Sequence, residues 1–135
     1  MGRKARGASM TSTEFIALRD KERDALVAEK CMGWTNIDRT VYGEFWGKHP
    51  HRALSSCPIS PYSTRMQSAW AIVAKVFPTQ FCLSLGDDGG DWVVFPTWHS
   101  DSWDDSSRAP TAPLAICLAA LKAKGVITDG SPSNV

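Results

Sequence analysis

Thr111-Ala112-Pro113-Leu114-Ala115-Ile116-Cys117-Leu118-Ala119-Ala120-Leu121-Lys122-Ala123-Lys124-Gly125 is the stretch on which the fold turns. Thr111 precedes a proline placed in a first helical turn, where a missing N–H costs nothing. Leu114, Cys117, Leu118 and Leu121 repeat at helical spacing, and Gly125 closes the run as a residue free to take positive φ. Its residues 111–121 lie in the longest run without a charged residue, 13 positions over 109–121. A bilayer span needs about 20 apolar residues, so the run predicts a helix with an apolar stripe and excludes a transmembrane helix.

Working outward, residues 13–32 read as one first helix, capped by Ser12 or Thr13 and ended by Gly33, with Phe15, Leu18, Ala25, Leu26 and Cys31 near helical spacing. From Trp34 to Tyr62 the periodicity is lost, except that residues 40–46 (Thr-Val-Tyr-Gly-Glu-Phe-Trp) suit a short strand. Pro61-Tyr62-Ser63-Thr64 reads as a helix entry with Ser63 as cap. The helix behind it sets Met66, Ala69, Trp70, Val73 and Val76 on one face, and Pro78 ends it. Residues 80–85 and 91–95 flank a glycine-rich turn and predict an antiparallel hairpin. Residues 97–108, rich in Ser and Asp, read as an exposed loop carrying Trp98 and Trp103. The resulting order, α-α-β-β-α with a possible extra strand before the second helix, is an α+β layer packing. The domain is expected over residues 13–126, between a basic disordered leader, 1–12, and a flexible tail, 127–135.

The whole chain has 135 residues, 43% apolar, with 15 Lys and Arg against 14 Asp and Glu, which gives no global bias towards a polyanion. Folding such a chain buries roughly two-thirds of its extended surface, enough for one core. No apolar segment follows Arg3, Lys4 and Arg6, so the leader is not a secretory signal and a cytoplasmic location is expected. Arg6 stands where a myristoylation motif wants Ser or Thr. The four cysteines form no Cys-x-x-Cys pair, which argues against a disulfide framework and a zinc ribbon. Cys31, Cys82 and Cys117 lie among apolar residues and read as buried thiols, whereas Cys57 reads as a loop thiol.

Several stretches taken together resemble the phage ABA sandwich domain family, small proteins of bacteriophages and prophages. They are residues 24–34 (Asp-Ala-Leu-Val-Ala-Glu-Lys-Cys-Met-Gly-Trp), Pro61-Tyr62-Ser63-Thr64 with Ala69-Trp70 behind it, Trp92-Val93-Val94-Phe95, and residues 111–121, in order along residues 22–125. The resemblance implies an α/β/α sandwich with a small antiparallel sheet between helices, in a protein of the bacterial host's cytoplasm. It brings no enzymatic activity, catalytic residue or cofactor to carry over. The basic leader and the loops around Lys48-His49-Pro50-His51 and Ser100-Asp101-Ser102-Trp103 depart from the usual pattern, so what is particular to this member is expected there.

No catalytic constellation stands out. His49, His51 and Cys57 have the residue types of a metal or cysteine-hydrolase site, yet a fourth ligand at recognisable spacing is missing and His99 joins them only by tertiary accident. Asp87, Asp88 and Asp91 lack the calcium-loop order and fit turn chemistry. Residues 86–108 carry six Asp against one Arg, which disfavours nucleic acid on that side. Six tryptophans are the compositional outlier. Trp70 and Trp92 read as core, whereas Trp34, Trp46, Trp98 and Trp103 fall where an indole either plugs a core edge or stacks on a flat ligand. The candidate ligand-binding set is Trp34, Trp46, Tyr62, Ser63, Thr64, Arg65 and Trp98, with the hydroxyls and a helix N-terminus suited to an anionic group. The expected function is therefore binding: to a host or phage protein, to a second copy, or to a small nucleotide-like immune signal that is sequestered. A small hydrolase or metalloenzyme is the alternative.

Overall fold

The structure, a computed structural model, describes residues 10–40, 43–78, 82–85, 91–95 and 107–128. Its elements run α1 (Ser12–Ala17), α2 (Asp20–Lys30), β1 (Thr35–Arg39), β2 (Phe45–His49), β3 (Arg52–Pro58), α3 (Met66–Val76), β4 (Cys82–Leu85), β5 (Trp92–Phe95), β6 (Ser107–Ala109) and α4 (Ala112–Ala123). The fold is α+β, and the described strands make two three-stranded antiparallel sheets, β1-β2-β3 and β4-β5-β6.

The decisive stretch is the helix predicted for it. Thr111 caps α4 by accepting from the Leu114 N–H at 3.4 Å, and Gly125 sits at φ +77° just past its end. The expected apolar stripe is an underestimate, because every residue from Pro113 to Leu121 is buried. A helix apolar on all sides belongs in the middle of a domain. Accordingly α4 packs on β5 and β6, on α3, and on α1 and α2. Each fully buried Ile or Leu here, such as Ile116, Leu118 and Leu121, contributes about 1.5–3 kcal/mol of apolar transfer.

The single first helix expected over 13–32 is two helices. Glu14 closes a capping box with Thr11 at the start of α1. Leu18 then leaves helical geometry, and Glu22 accepts from the Arg19 N–H at 3.2 Å to begin α2. Arg23 secures the break, its guanidinium donating to the carbonyls of Ile16 (2.8 Å) and Leu18 (2.9 Å) and pairing with Asp20. These are the carbonyls that a helix end leaves orphaned. Gly33, at φ +79°, lets the Trp34 N–H return to the Ala28 carbonyl at 3.0 Å and ends the helical region where expected.

Between Trp34 and Tyr62 lies a three-stranded meander. The single strand expected at 40–46 is displaced: Thr40, Gly43 and Glu44 belong to the turn before β2, which starts at Phe45. Bulges interrupt β1 and β2, and Asn36 takes φ +51° inside the first, so the strands lack the alternation that would announce them. Gly47 is needed for close packing, since a Cβ there would lie 2.9 Å from Ile37 Cγ1 and 3.2 Å from the Thr35 carbonyl. The second predicted helix starts later than expected, at Met66 with Arg65 as N-cap, and Ser63 does not cap it. Its buried residues are Ala69 and Ile72, while Trp70, expected in the core, is 50% exposed. One residue beyond Ala69, Trp70 is rotated about 100° around the helix, off the face that meets α4.

The expected hairpin forms as β4–β5, with Leu85 opposite Trp92, and its turn lies outside the described residues. β6 takes the end of what reads as an exposed loop, and places Ser107 and Ala109 in the interior. The ends of the domain also extend further than expected. Met10 donates to the Val126 carbonyl (3.1 Å) and accepts from the Thr128 N–H (2.9 Å), and Ile127 is 2% exposed. Residues 10–12 and 127–128 thus belong to the fold.

Candidate functional site

Two buried hydrogen-bonded units tie the turn at residues 60–65 to α2 and to the residue before β1, and they consume three of the seven predicted ligand-binding residues. In one, Asp24 on α2 accepts from both the N–H and the hydroxyl of Ser63, each at 2.7 Å. In the other, Trp34 Nε1–H donates to the Tyr62 hydroxyl at 2.9 Å. Trp34, Tyr62 and Ser63 are all buried. The polar atoms of Trp34 and Ser63 are thus spent on holding the turn at residues 60–65 against α2 and the start of β1. Burial raises the Asp24 carboxyl above its ordinary value, against the pull of the Ser63 hydrogen bonds. Burial likewise raises the Tyr62 phenol, with the Trp34 and Ser60 hydrogen bonds opposing.

The remaining candidates are not brought together with these. Thr64 and Arg65 are exposed at the start of α3. Trp46, 37% exposed, stands opposite Asp38 on β1 and Pro58 on β3. Trp98 lies outside the described residues, as do Trp103, His99, Asp87, Asp88 and residues 101–106.

What the turn at 60–65 does build is one wall of a cleft of about 410 Å³. The opposite walls are the β2–β3 turn, with His49, Pro50 and His51, and the face of α3 that carries Ser68, Ala71, Ala74 and Lys75. Tyr62, Ser60 and Met32 complete the lining, and none of the described residues that line it is a carboxylate. His49 is held on two sides. Its ring meets the Trp34 indole edge to face at 5.0 Å and 69°, and its Nδ1 accepts from the His51 N–H at 3.0 Å. With Nδ1 an acceptor, the neutral ring carries its proton at Nε2. The sequence singled out His49, His51 and Tyr62 but missed Ser60, Ser68 and Lys75. One signal was present: Lys75 is the sole charged residue of α3.

A second hollow, of about 620 Å³, lies between α2 and the β1–β2 edge. It is lined by apolar side chains, among them Leu18, Leu26, Ile37, Phe45 and Trp34, and by Glu22 and Glu29, with no cationic side chain among the described residues.

The metal and hydrolase arrangements are not assembled by the described residues. Cys57 sits on β3 across from Gly47, half-buried, and no cluster of three or more His, Cys, Asp or Glu able to hold a metal occurs among the described residues. Cys31 and Cys117 are buried as expected. Burial pushes the Cys31 thiol up to about 11 and raises that of Cys117 well above its ordinary value, so both are held as inert thiols. Among the described residues, no helix is long and apolar enough to cross a membrane.

Among curated proteins none matches the chain. A crystal structure of a phage protein from Bacillus cereus is similar to it with a TM-score of 0.62 and 24% sequence identity, over 83% of this chain and 93% of that one. That likeness bears on the fold alone. Residues 25–121 match the phage ABA sandwich domain, a span that includes the Trp34–Tyr62 unit, Ser63, the described lining of the cleft and most of α4. The chain belongs to the phage ABA sandwich domain family.

Proposed function

We propose that this phage-family protein acts by binding, not catalysis, and that its site is the cleft between the β2–β3 turn and α3, which takes a small anionic ligand of nucleotide size. The observation that carries the reading is the composition of the cleft wall. Lys75, two imidazoles and the hydroxyls of Ser60, Tyr62 and Ser68 line it, with no carboxylate among the described residues. A concave site with an apolar floor (Pro50, Met32, Ala71, Ala74) and a few convergent donors suits a ligand with a flat ring and a phosphate. Its volume falls in the range of about 300–1,000 Å³ usual for small-molecule sites. In its specific form the ligand is a nucleotide-like immune signal of the host, held and withdrawn from its receptor. Nothing in the described geometry favours the hydrolase or metalloenzyme alternative.

The test is a thermal-shift series with inorganic phosphate, AMP, ADP-ribose and cyclic dinucleotides. A ligand at 100 times its Kd adds about 2.7 kcal/mol of stability, several degrees for a domain of this size. A saturable shift that Lys75→Ala or His51→Ala removes supports the reading. Absence of any shift, or a shift that both variants retain, overturns it and leaves a protein partner or self-association as the function to pursue.

A further inference from the structure

The hollow of about 620 Å³ beside α2 has no part in the anion site, and its chemistry asks for a different occupant. Glu22, Ala25, Leu26 and Glu29 line it from α2, at a spacing of i, i+3, i+4 and i+7 that sets them in one stripe. Leu26 thus stands between two carboxylates about 10.5 Å apart along the helix axis. Leu18, Ile37 and Phe45 complete an apolar floor and are only partly buried. Neither Glu22 nor Glu29 is in an ion pair with a described residue, although Glu22 spends one oxygen on the Arg19 N–H. Lys21 and Arg39 line an adjoining hollow that shares Glu22 and Phe45, where Lys21 pairs with Glu44 at 3.5 Å and Arg39 stands over the Phe45 ring. An apolar groove with carboxylates along one side suits long cationic side chains, whose stems cover apolar surface while their heads stay at the rim.

The chain brings a segment of that kind to the groove. Met10 lines the groove and is anchored through its backbone to Val126 and Thr128. The residues before it, 1–9 (Met-Gly-Arg-Lys-Ala-Arg-Gly-Ala-Ser), lie outside the described residues and carry three cations, no carboxylate and, after Met1, otherwise small side chains. Arg6 is four residues from Met10, a reach of up to about 14 Å, and Arg3 and Arg6 on an extended chain are about 10–11 Å apart. That matches the separation of Glu22 and Glu29 along α2. A groove-to-groove contact with a second copy would instead set carboxylates against carboxylates, because a two-fold interface uses the same patch on both sides.

We infer that the groove is the docking site of the chain's own basic leader, residues 1–9, held in cis with its arginine and lysine heads at Glu22 and Glu29 and their stems over Leu26, Ile37 and Phe45. Tethered at Met10, the leader acts at a high effective concentration, so weak ion pairs at the rim suffice to hold it. The inference stands independently of the anion reading of the cleft.

The experiment uses the full chain. Carbodiimide coupling, which joins an amine to a carboxyl as an amide with loss of water to the reagent, is run on an equal mixture of unlabelled and nitrogen-15-labelled protein. The products of Lys4, the one lysine of the leader, are mapped by mass spectrometry. Lys4 should couple to Glu29 or Glu22 ahead of every other carboxylate, and within one isotope. In parallel, trypsin cleavage after Arg3, Lys4 and Arg6 is timed in the parent and in the double variant Glu22→Gln/Glu29→Gln, where Gln keeps the acceptor that Glu22 offers Arg19. Leader cleavage should run about three- to tenfold faster in the variant. Cleavage after Lys75 and Lys124, which are exposed and do not line the groove, should be unchanged and serves as the control for folding. Coupling of Lys4 to carboxylates outside the groove, or leader cleavage at the parental rate in a folded variant, overturns the inference. Links between isotopes overturn docking in cis and assign the groove to the leader of a second copy. Should the control sites also be cleaved faster, the coupling map of the parent decides alone.

Discussion

The cleft beside α3 and the groove beside α2 are built by overlapping parts of the chain but are opposite in chemistry. The groove is the larger, about 620 Å³ against about 410 Å³, and among the described residues its polar lining includes Glu22 and Glu29 without a cation. The cleft, among the same described residues, has Lys75, two histidines and three hydroxyls without a carboxylate. Trp34 lines the groove, while its two partners, Tyr62 and His49, line the cleft. Size alone would point to the groove. Convergence of donors points to the cleft, because a small anion is recognised by a few placed hydrogen bonds and not by volume. The difference also shows how the fold economises: one buried polar join, Asp24–Ser63 with Trp34–Tyr62, fixes α2 against the turn at 60–65 and so shapes both hollows.

Breaking that join gives the largest expected effect. Asp24→Ala removes the acceptor of two buried donors, and urea denaturation should show a loss of about 2–4 kcal/mol. Asp24→Asn keeps an amide oxygen able to accept from both, and should stay within about 1 kcal/mol of the parent. Equal losses in the two variants would mean that the charge, not the hydrogen bonds, holds the turn. Next comes Gly47→Ala, which forces a Cβ against Ile37 and the Thr35 carbonyl and should cost about 1–3 kcal/mol in the same assay, with the damage centred on the groove side.

A smaller effect separates the variants by pH. Because burial raises the Asp24 carboxyl, the folded state holds that proton more tightly than the unfolded state does. Its contribution to stability is therefore greatest below the ordinary carboxylate range of about 3.9, falls as pH rises through the raised folded value, and is flat above it. Asp24→Asn lacks this dependence, so its stability relative to the parent should rise as pH increases from 3 to 7 in parallel urea titrations. A constant or falling difference would contradict the burial argument. Smallest in stability are the exposed Lys75→Ala and Glu29→Ala, each expected within about 0.5 kcal/mol of the parent because neither residue is buried.

The elements that the sequence made legible are those whose burial is one-sided or complete. α4 shows itself through the uncharged run 109–121 and the Gly125 that closes the helix, and β4–β5 through paired apolar segments around glycines. The meander β1–β3 was hidden because bulges at Asn36 and after Gly47 break its alternation and several of its residues are exposed. The split between α1 and α2 was hidden because it depends on Arg23 reaching back to two carbonyls, a tertiary solution that no periodicity records. For the site, His49, His51, Tyr62 and Trp34 were visible as residue types. Their roles were not, since which hydroxyl faces a cleft and which is spent on Asp24 is decided by contacts 28 and 39 positions apart in the chain.

The most direct test of the account is calorimetric titration of AMP into the parent, Lys75→Ala and Glu29→Ala. The account predicts saturable binding to the parent, at least tenfold weaker binding to Lys75→Ala, and unchanged or slightly tighter binding to Glu29→Ala. Binding that survives Lys75→Ala but is altered by Glu29→Ala would place the ligand in the groove, and absence of binding to the parent would contradict the anion site itself.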